Sequence, residues 1–177
     1  MDFGDKDRFA ITIDLNENHG GAWLFGRICY WIAGNIVGNY EEGTSLRDAL
    51  FQMRYVYGDC GQRTCPALMQ LPNEKAFELI SGALRRGSSE IYEYLSDDFM
   101  PARFDVCIHI DVFDDWEIYL IEDGANAKIL YRNLDERKLN AFTLKSRDFD
   151  AAAVPAYECL DKLYDAAEAD EGGSLSG

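Results

Sequence analysis

The chain has 177 residues with 32 Asp and Glu against 17 Lys and Arg, a formal charge of −15. Such a surface repels phosphate backbones and anionic membranes and attracts basic partners, which excludes nucleic-acid and membrane binding. What remains is a soluble acidic domain, or a decoy or inhibitor of a cationic protein; a carboxylate array that imitates DNA phosphates in a basic nuclease cleft is one form of the latter.

With 47% hydrophobic and 13% aromatic residues the chain can bury one sizeable core, and its length fits one domain. Residues 1–170 are expected to form that domain and 171–177 a disordered tail. The opening MDFGDKDRFA lacks a basic stretch followed by an apolar one, and no apolar run approaches the ~20 residues of a membrane span. A cytoplasmic protein is therefore expected. Five cysteines, with Cys29, Cys107 and Cys159 among apolar neighbours, suit reduced thiols used as small core residues.

RFAITIDL alternates Phe9, Ile11, Ile13 and Leu15 with Arg8, Ala10, Thr12 and Asp14, which predicts a strand with one buried face. Asn18-His19-Gly20-Gly21 breaks it. WLFGRICYWI is apolar on both faces apart from Arg27, as in a central strand covered on both sides, and Gly34-Asn35 turns the chain into IVGNY as a hairpin partner. Thr44-Ser45 precedes a helix over Leu46–Tyr57, with Leu46, Ala49, Leu50, Met53 and Val56 at helical spacing and Asp48 placed as in a capping box. Gly58 to Pro72 reads as loop. A second helix follows, with Asn73 as N-cap and Ala76, Phe77, Ile80 and Leu84 on one side; Gly87-Ser88-Ser89 ends it, and Glu90 to Leu95 suits a shorter helix.

FDVCIHIDVF alternates Phe104, Val106, Ile108, Ile110 and Val112 against Asp105, Cys107, His109 and Asp111, the pattern of a half-buried strand. WEIYLIE, AKILYRN and KLNAFTLK follow across short turns at Asp114-Asp115 and Asp123-Gly124, forming an antiparallel meander. A last helix groups Val154, Tyr157, Leu160, Leu163 and Tyr164, with Pro155 in its first turn, and frays after Ala169. The expected class is α+β: one domain, mainly antiparallel sheet, with three or so helices packed on it.

Catalytic signatures are missing. Nucleophile elbow, phosphate loop, dinucleotide glycines and metalloprotease helix are all absent. CGQRTC, with Cys60 and Cys65, has neither the spacing of a zinc knuckle nor a second ligand pair, so a loop disulfide in an oxidising sample is expected before zinc. His109 and Asp111 share a strand face with Asp114 and Asp115 beyond. They read either as a polar outer face or as a fragment of a hydrolytic metal site, and a single visible element favours the former. No catalytic residue, metal or cofactor is expected.

Several phrases resemble the immunity protein 42 family of bacterial polymorphic toxin systems: FGDKDRFAI, GGAWLFGRICYWIAGNIVG, GTSLRDALFQ and ARFDVCIHIDVFDDWEIYLIEDG. The resemblance runs from Phe3 to about Gly124, more weakly to Tyr164, and rests on Trp23, Gly26, Tyr30, Trp31 and Gly34, on Thr44-Ser45-Leu46, and on Asp111 to Asp114 before Trp116. It implies an α+β protein, encoded beside a toxin, that binds and neutralises that toxin inside the producing cell without catalysis. A cognate toxin domain of basic character, a nuclease among the options, is the partner to expect. The residues expected to meet it are Asp111, Asp114, Asp115, Trp116, Glu117 and Asp123, with Trp116 read either as an aromatic anchor among steering carboxylates or as an ordinary core tryptophan. Two other classes stay open: a small metal- or thiol-dependent enzyme using His109 with Asp111 or Cys107, and an acidic housekeeping interaction protein.

Overall fold

The computed structural model describes residues 1–174, with side chains through 170. In chain order the elements are β1 (Asp2–Asp5), β2 (Phe9–Leu15), β3 (Phe25–Ile32), β4 (Asn35–Val37), β5 (Thr44–Ser45), α1 (Leu46–Gly58), α2 (Pro66–Met69), α3 (Asn73–Arg86), β6 (Trp116–Glu122), β7 (Asn126–Asn133), β8 (Leu139–Lys145) and α4 (Asp148–Ser174), with short 3-10 turns between. The fold is α+β and every ladder in its two sheets is antiparallel, as the alternation requires. The chain divides into two compact units. The first takes Met1–Gly58, Ile108–Asp114 and the stretch from Phe149 onward; the second takes Asp59–Cys107 and Asp115–Asp148.

The first unit holds a sheet in the order β1-β2-β3-β4, with β5 also paired to β3. The β3–β4 turn is Ala33-Gly34, both at positive φ, one residue earlier than the Gly34-Asn35 signal suggested. Both faces of β2 are buried from Phe9 to Ile13, where alternation predicted one. Ala10 and Thr12 are small enough to be covered, and the Thr12 hydroxyl is satisfied by Trp31 Nε1 at 2.9 Å and Asp2 Oδ1 at 2.5 Å. The reverse correction applies to β3, expected to be covered throughout: its leading half leaves Phe25 and Arg27 exposed. Phe9, Tyr30, Phe113 and Phe149 form the aromatic centre, with ring centroids 4.6 to 6.3 Å apart.

Ser45 caps α1 by accepting the Asp48 amide at 3.2 Å, while the Asp48 carboxylate turns to Arg47 instead of completing the box. In α4, Pro155 lies seven residues inside the helix and not in its first turn. The helix starts earlier because Phe149, Ala152, Ala153, Ala156 and Leu160 make the buried stripe. The carbonyl that Pro155 leaves without an amide belongs to exposed Ala151, where water can serve it. The helix continues through Ser174, beyond the expected fraying at Ala169; residues 175–177 of the expected tail lie outside the described residues.

The second unit is the meander β6-β7-β8 with α2, α3 and a core of Leu68, Phe77, Ile80, Phe104, Tyr119, Ile121 and Leu130. α2, opened by Pro66 in its first turn, lies in the stretch read as loop, and Glu90–Glu93 is a 3-10 turn. α3 begins at Asn73 with Pro72 at the cap position, so Asn73 does not cap it; Gly87, at φ 67°, ends it. All five cysteines are free thiols in this structure, Cys60 and Cys65 included.

FDVCIHIDVF is the clearest departure, because it forms no strand. Two 3-10 turns, Pro101–Phe104 and Asp111–Phe113, flank an extended connector that meets β6 through the Asp105–Tyr119 bridge, the Val106 amide on the Ile118 carbonyl and the Cys107 thiol on the Trp116 carbonyl, without a continuous ladder. The predicted apolar positions are buried nonetheless, and so is Cys107. No helix among the described residues is long and apolar enough to cross a membrane.

Candidate functional site

The six residues expected at the binding face are divided between the two units. Asp111 and Asp114 belong to the first unit, and Asp115, Trp116, Glu117 and Asp123 to the second. Asp111 opens a 3-10 turn, its Oδ1 accepting from Thr44 Oγ1 at 2.6 Å and the Val112 amide at 2.9 Å. Asp114 and Asp115 are exposed; Trp116 is half-buried, its ring 6.4 Å from Tyr131. Asp123 is exposed but lies past the far end of β6, roughly 25 Å from Asp115 along an extended chain. There it accepts the Asn126 and Ala125 amides at 2.8 and 2.9 Å, bonds that pin the β6–β7 turn and hold its carboxyl below the ordinary range.

Glu117 is placed otherwise than expected: its residue is only 2% exposed. Arg85 Nε approaches Oε1 at 2.7 Å and Arg132 approaches Oε2 at 2.8 Å, with hydroxyls of Ser81 and Tyr119 donating to Oε1 at 2.7 and 3.0 Å. Burial alone would raise the Glu117 pKa. The Arg132 and Ser81 hydrogen bonds and the Arg85 charge outweigh it, leaving the carboxyl below its ordinary value and ionised. Arg132 also lies 4.4 Å over the Phe77 ring and bonds Glu78 at 3.0 Å. This cluster fastens α3 to the meander and keeps the Glu117 carboxylate from solvent.

Charge is divided unevenly. The first unit's stretches carry 17 Asp and Glu against 6 Lys and Arg, a formal −11, and the second unit's carry 15 against 11, −4. The negative charge therefore lies chiefly on the first unit, not on the meander.

The first unit also exposes an aromatic pair. Trp23 and Phe25 are 49% and 45% exposed and stack at 6.1 Å with planes 3° apart. The Arg47 guanidinium lies over the Trp23 ring at 3.7 Å and is held by Asp48 at 3.1 Å. Next along the chain, Thr44, Ser45, Asp48, Gln52, His109 and Asp111 line an open cavity of about 340 Å³. The Ser45 hydroxyl, on that lining, donates to the Trp23 carbonyl at 3.2 Å. The expectation of a fully covered β3 hid this pair. The signal that could have found it is Gly20-Gly21 just before Ala22-Trp23, a backbone break that frees the following residues from strand alternation.

His109 and Asp111 line the same cavity, but among the described residues no group of three or more His, Cys, Asp and Glu converges as a metal site would require.

No curated protein matches the chain in sequence. Among solved structures, CdiI from Burkholderia dolosa AUO158 is similar in fold, with a TM-score of 0.67 at 18% identity over 88% of this chain and 97% of that one. The model of the immunity protein 42 family matches residues 1–154. The chain belongs to the immunity protein 42 family.

Proposed function

We propose that this chain protects the cell that makes it by binding a cognate toxin domain in the cytoplasm and blocking it without catalysis. Family membership over residues 1–154 carries the reading. The similarity of fold to a protein titled CdiI is consistent with it. The −15 charge supports a basic toxin, and a nuclease is the class whose active cleft such a surface fits. Residues 1–170 act together as the immunity module. The exposed Asp111, Asp114, Asp115 and Asp123 contribute to steering; Trp116 is half-buried and Glu117 belongs to the interior.

The test starts from the gene beside this one. Its C-terminal domain, expressed alone, should arrest growth, and co-expression of this chain should restore it and yield a stable complex. A purified toxin domain that remains fully active with this chain in excess would overturn the reading.

A further inference from the structure

We infer that the toxin docks on the Trp23–Phe25 platform of the first unit, with one of its Lys or Arg side chains entering the adjoining cavity beside Asp48 and Asp111. The inference rests on the immunity reading above and adds where, and through what chemistry, the partner binds.

The platform is built to stay in place. Phe25 N donates to the His19 carbonyl at 2.8 Å and its carbonyl accepts the Asn16 amide at 3.1 Å, so the loop closes on itself. Gly20, at φ 69°, lets the backbone run under Phe25, where a Cβ would stand 2.9 Å from the ring. Leu24 is the decisive residue. It holds a left-handed φ of 52°, rare for a branched side chain, and is 1% exposed. That conformation sends Leu24 into the core and leaves its neighbours Trp23 and Phe25 in solvent. The same bend that buries Leu24 turns two large aromatic rings outward, and strain of this kind gathers at binding sites. Arg47 over Trp23 restricts the ring further. An anchor ordered before contact loses less freedom on binding, and Trp and Arg are the residues most often found as hot spots.

Charge identifies the occupant. The unit presenting the platform carries −11, and its cavity is lined by Asp48 and Asp111. Two copies of such a surface repel each other, whereas a basic domain with an apolar centre is attracted at a distance and fits at contact. Phe51 and Tyr55, 40% and 71% exposed, follow Arg47 at four-residue steps on α1 and extend the apolar surface.

The experiment uses the full chain and the toxin domain encoded beside it, with binding kinetics for Trp23→Ala and Trp116→Ala and hydrogen exchange on the wild-type complex. Trp23→Ala should weaken the complex about 30-fold or more, chiefly through faster dissociation, while Trp116→Ala changes it less than about threefold. Exchange should slow on complex formation in residues 18–25 and 44–52, a readout that does not depend on the variant folding. Wild-type affinity in Trp23→Ala, or protection confined to other segments, would overturn the docking site while leaving immunity intact. Self-association of the wild-type chain that Trp23→Ala abolishes would overturn it too, by assigning the platform to a second copy. No complex with the wild-type chain at all would instead bring down the immunity reading on which the inference stands.

Discussion

Two regions of the molecule use the same three parts, an arginine, an aromatic ring and a carboxylate, to opposite ends. In the second unit Arg132 lies over Phe77 and bonds Glu117, with both the ring and the carboxylate sealed from water. In the first unit Arg47 lies over Trp23 and bonds Asp48, and the ring stands half in solvent. Where water is excluded, the ion pair can neither be screened nor separated without leaving a charge uncompensated, so the group locks α3 to the meander. Where the ring stays open, the pair contributes little to folding and holds an apolar surface ready for contact. The difference is burial, not residue type.

The largest expected effect falls on the buried member. Glu117→Gln should destabilise the chain by about 3 kcal/mol, the lower part of the range for a broken buried pair, since half-exposed Arg85 can regain water. Denaturant unfolding measures it, and a loss under about 1 kcal/mol would break the comparison. Acid sharpens the same point. The Glu117 carboxyl titrates lower in the folded chain than its ordinary 4.5, so its contribution is complete above 4.5 and is lost as the pH falls through the lower folded value. The wild type should therefore lose stability more steeply than Glu117→Gln below that pH.

On the open side, Trp23→Ala should cost about 2 kcal/mol of toxin affinity yet less than about 1 kcal/mol of folding stability, the mirror image of Glu117→Gln. Arg47→Ala should act in the same sense but more weakly, by about 0.5–1 kcal/mol of affinity, because it removes the restraint on the ring and leaves the ring itself. The smallest effect belongs to Asp114→Asn with Asp115→Asn. Those exposed carboxylates should lower the association rate a few-fold and flatten its salt dependence, with dissociation and thermal stability unchanged. Stopped-flow association at two ionic strengths would show this, and a change in dissociation would put them in the contact itself.

Much of the architecture was legible from local pattern. The meander, the span of α1, the Ser45 cap and the end of α3 at Gly87 each follow from spacing or from a residue with one conformational use. Failures came where alternation has more than one cause. FDVCIHIDVF alternates and buries the expected side chains, but a strand needs a neighbour along its length, and this connector has one residue bridge. Pro155 looked like a helix start because proline suits a first turn; the alanine stripe before it, weak in hydrophobicity, carries the real buried face.

For the binding face the sequence supplied the sign of the charge, the family likeness and the candidate carboxylates, since these depend on composition and on words of sequence. Tertiary structure alone decided which of those groups meet solvent. Glu117 stands two residues from exposed Asp115 and next to half-buried Trp116, yet two arginines distant in sequence hold it in the interior. Trp23 and Phe25 read as core strand, yet a left-handed Leu24 between them turns both outward. The physical reason is common to both cases. Exposure is set by what the rest of the chain places over a side chain, and neither distant arginines nor a local reversal of φ leaves a periodic trace in the residues beside it.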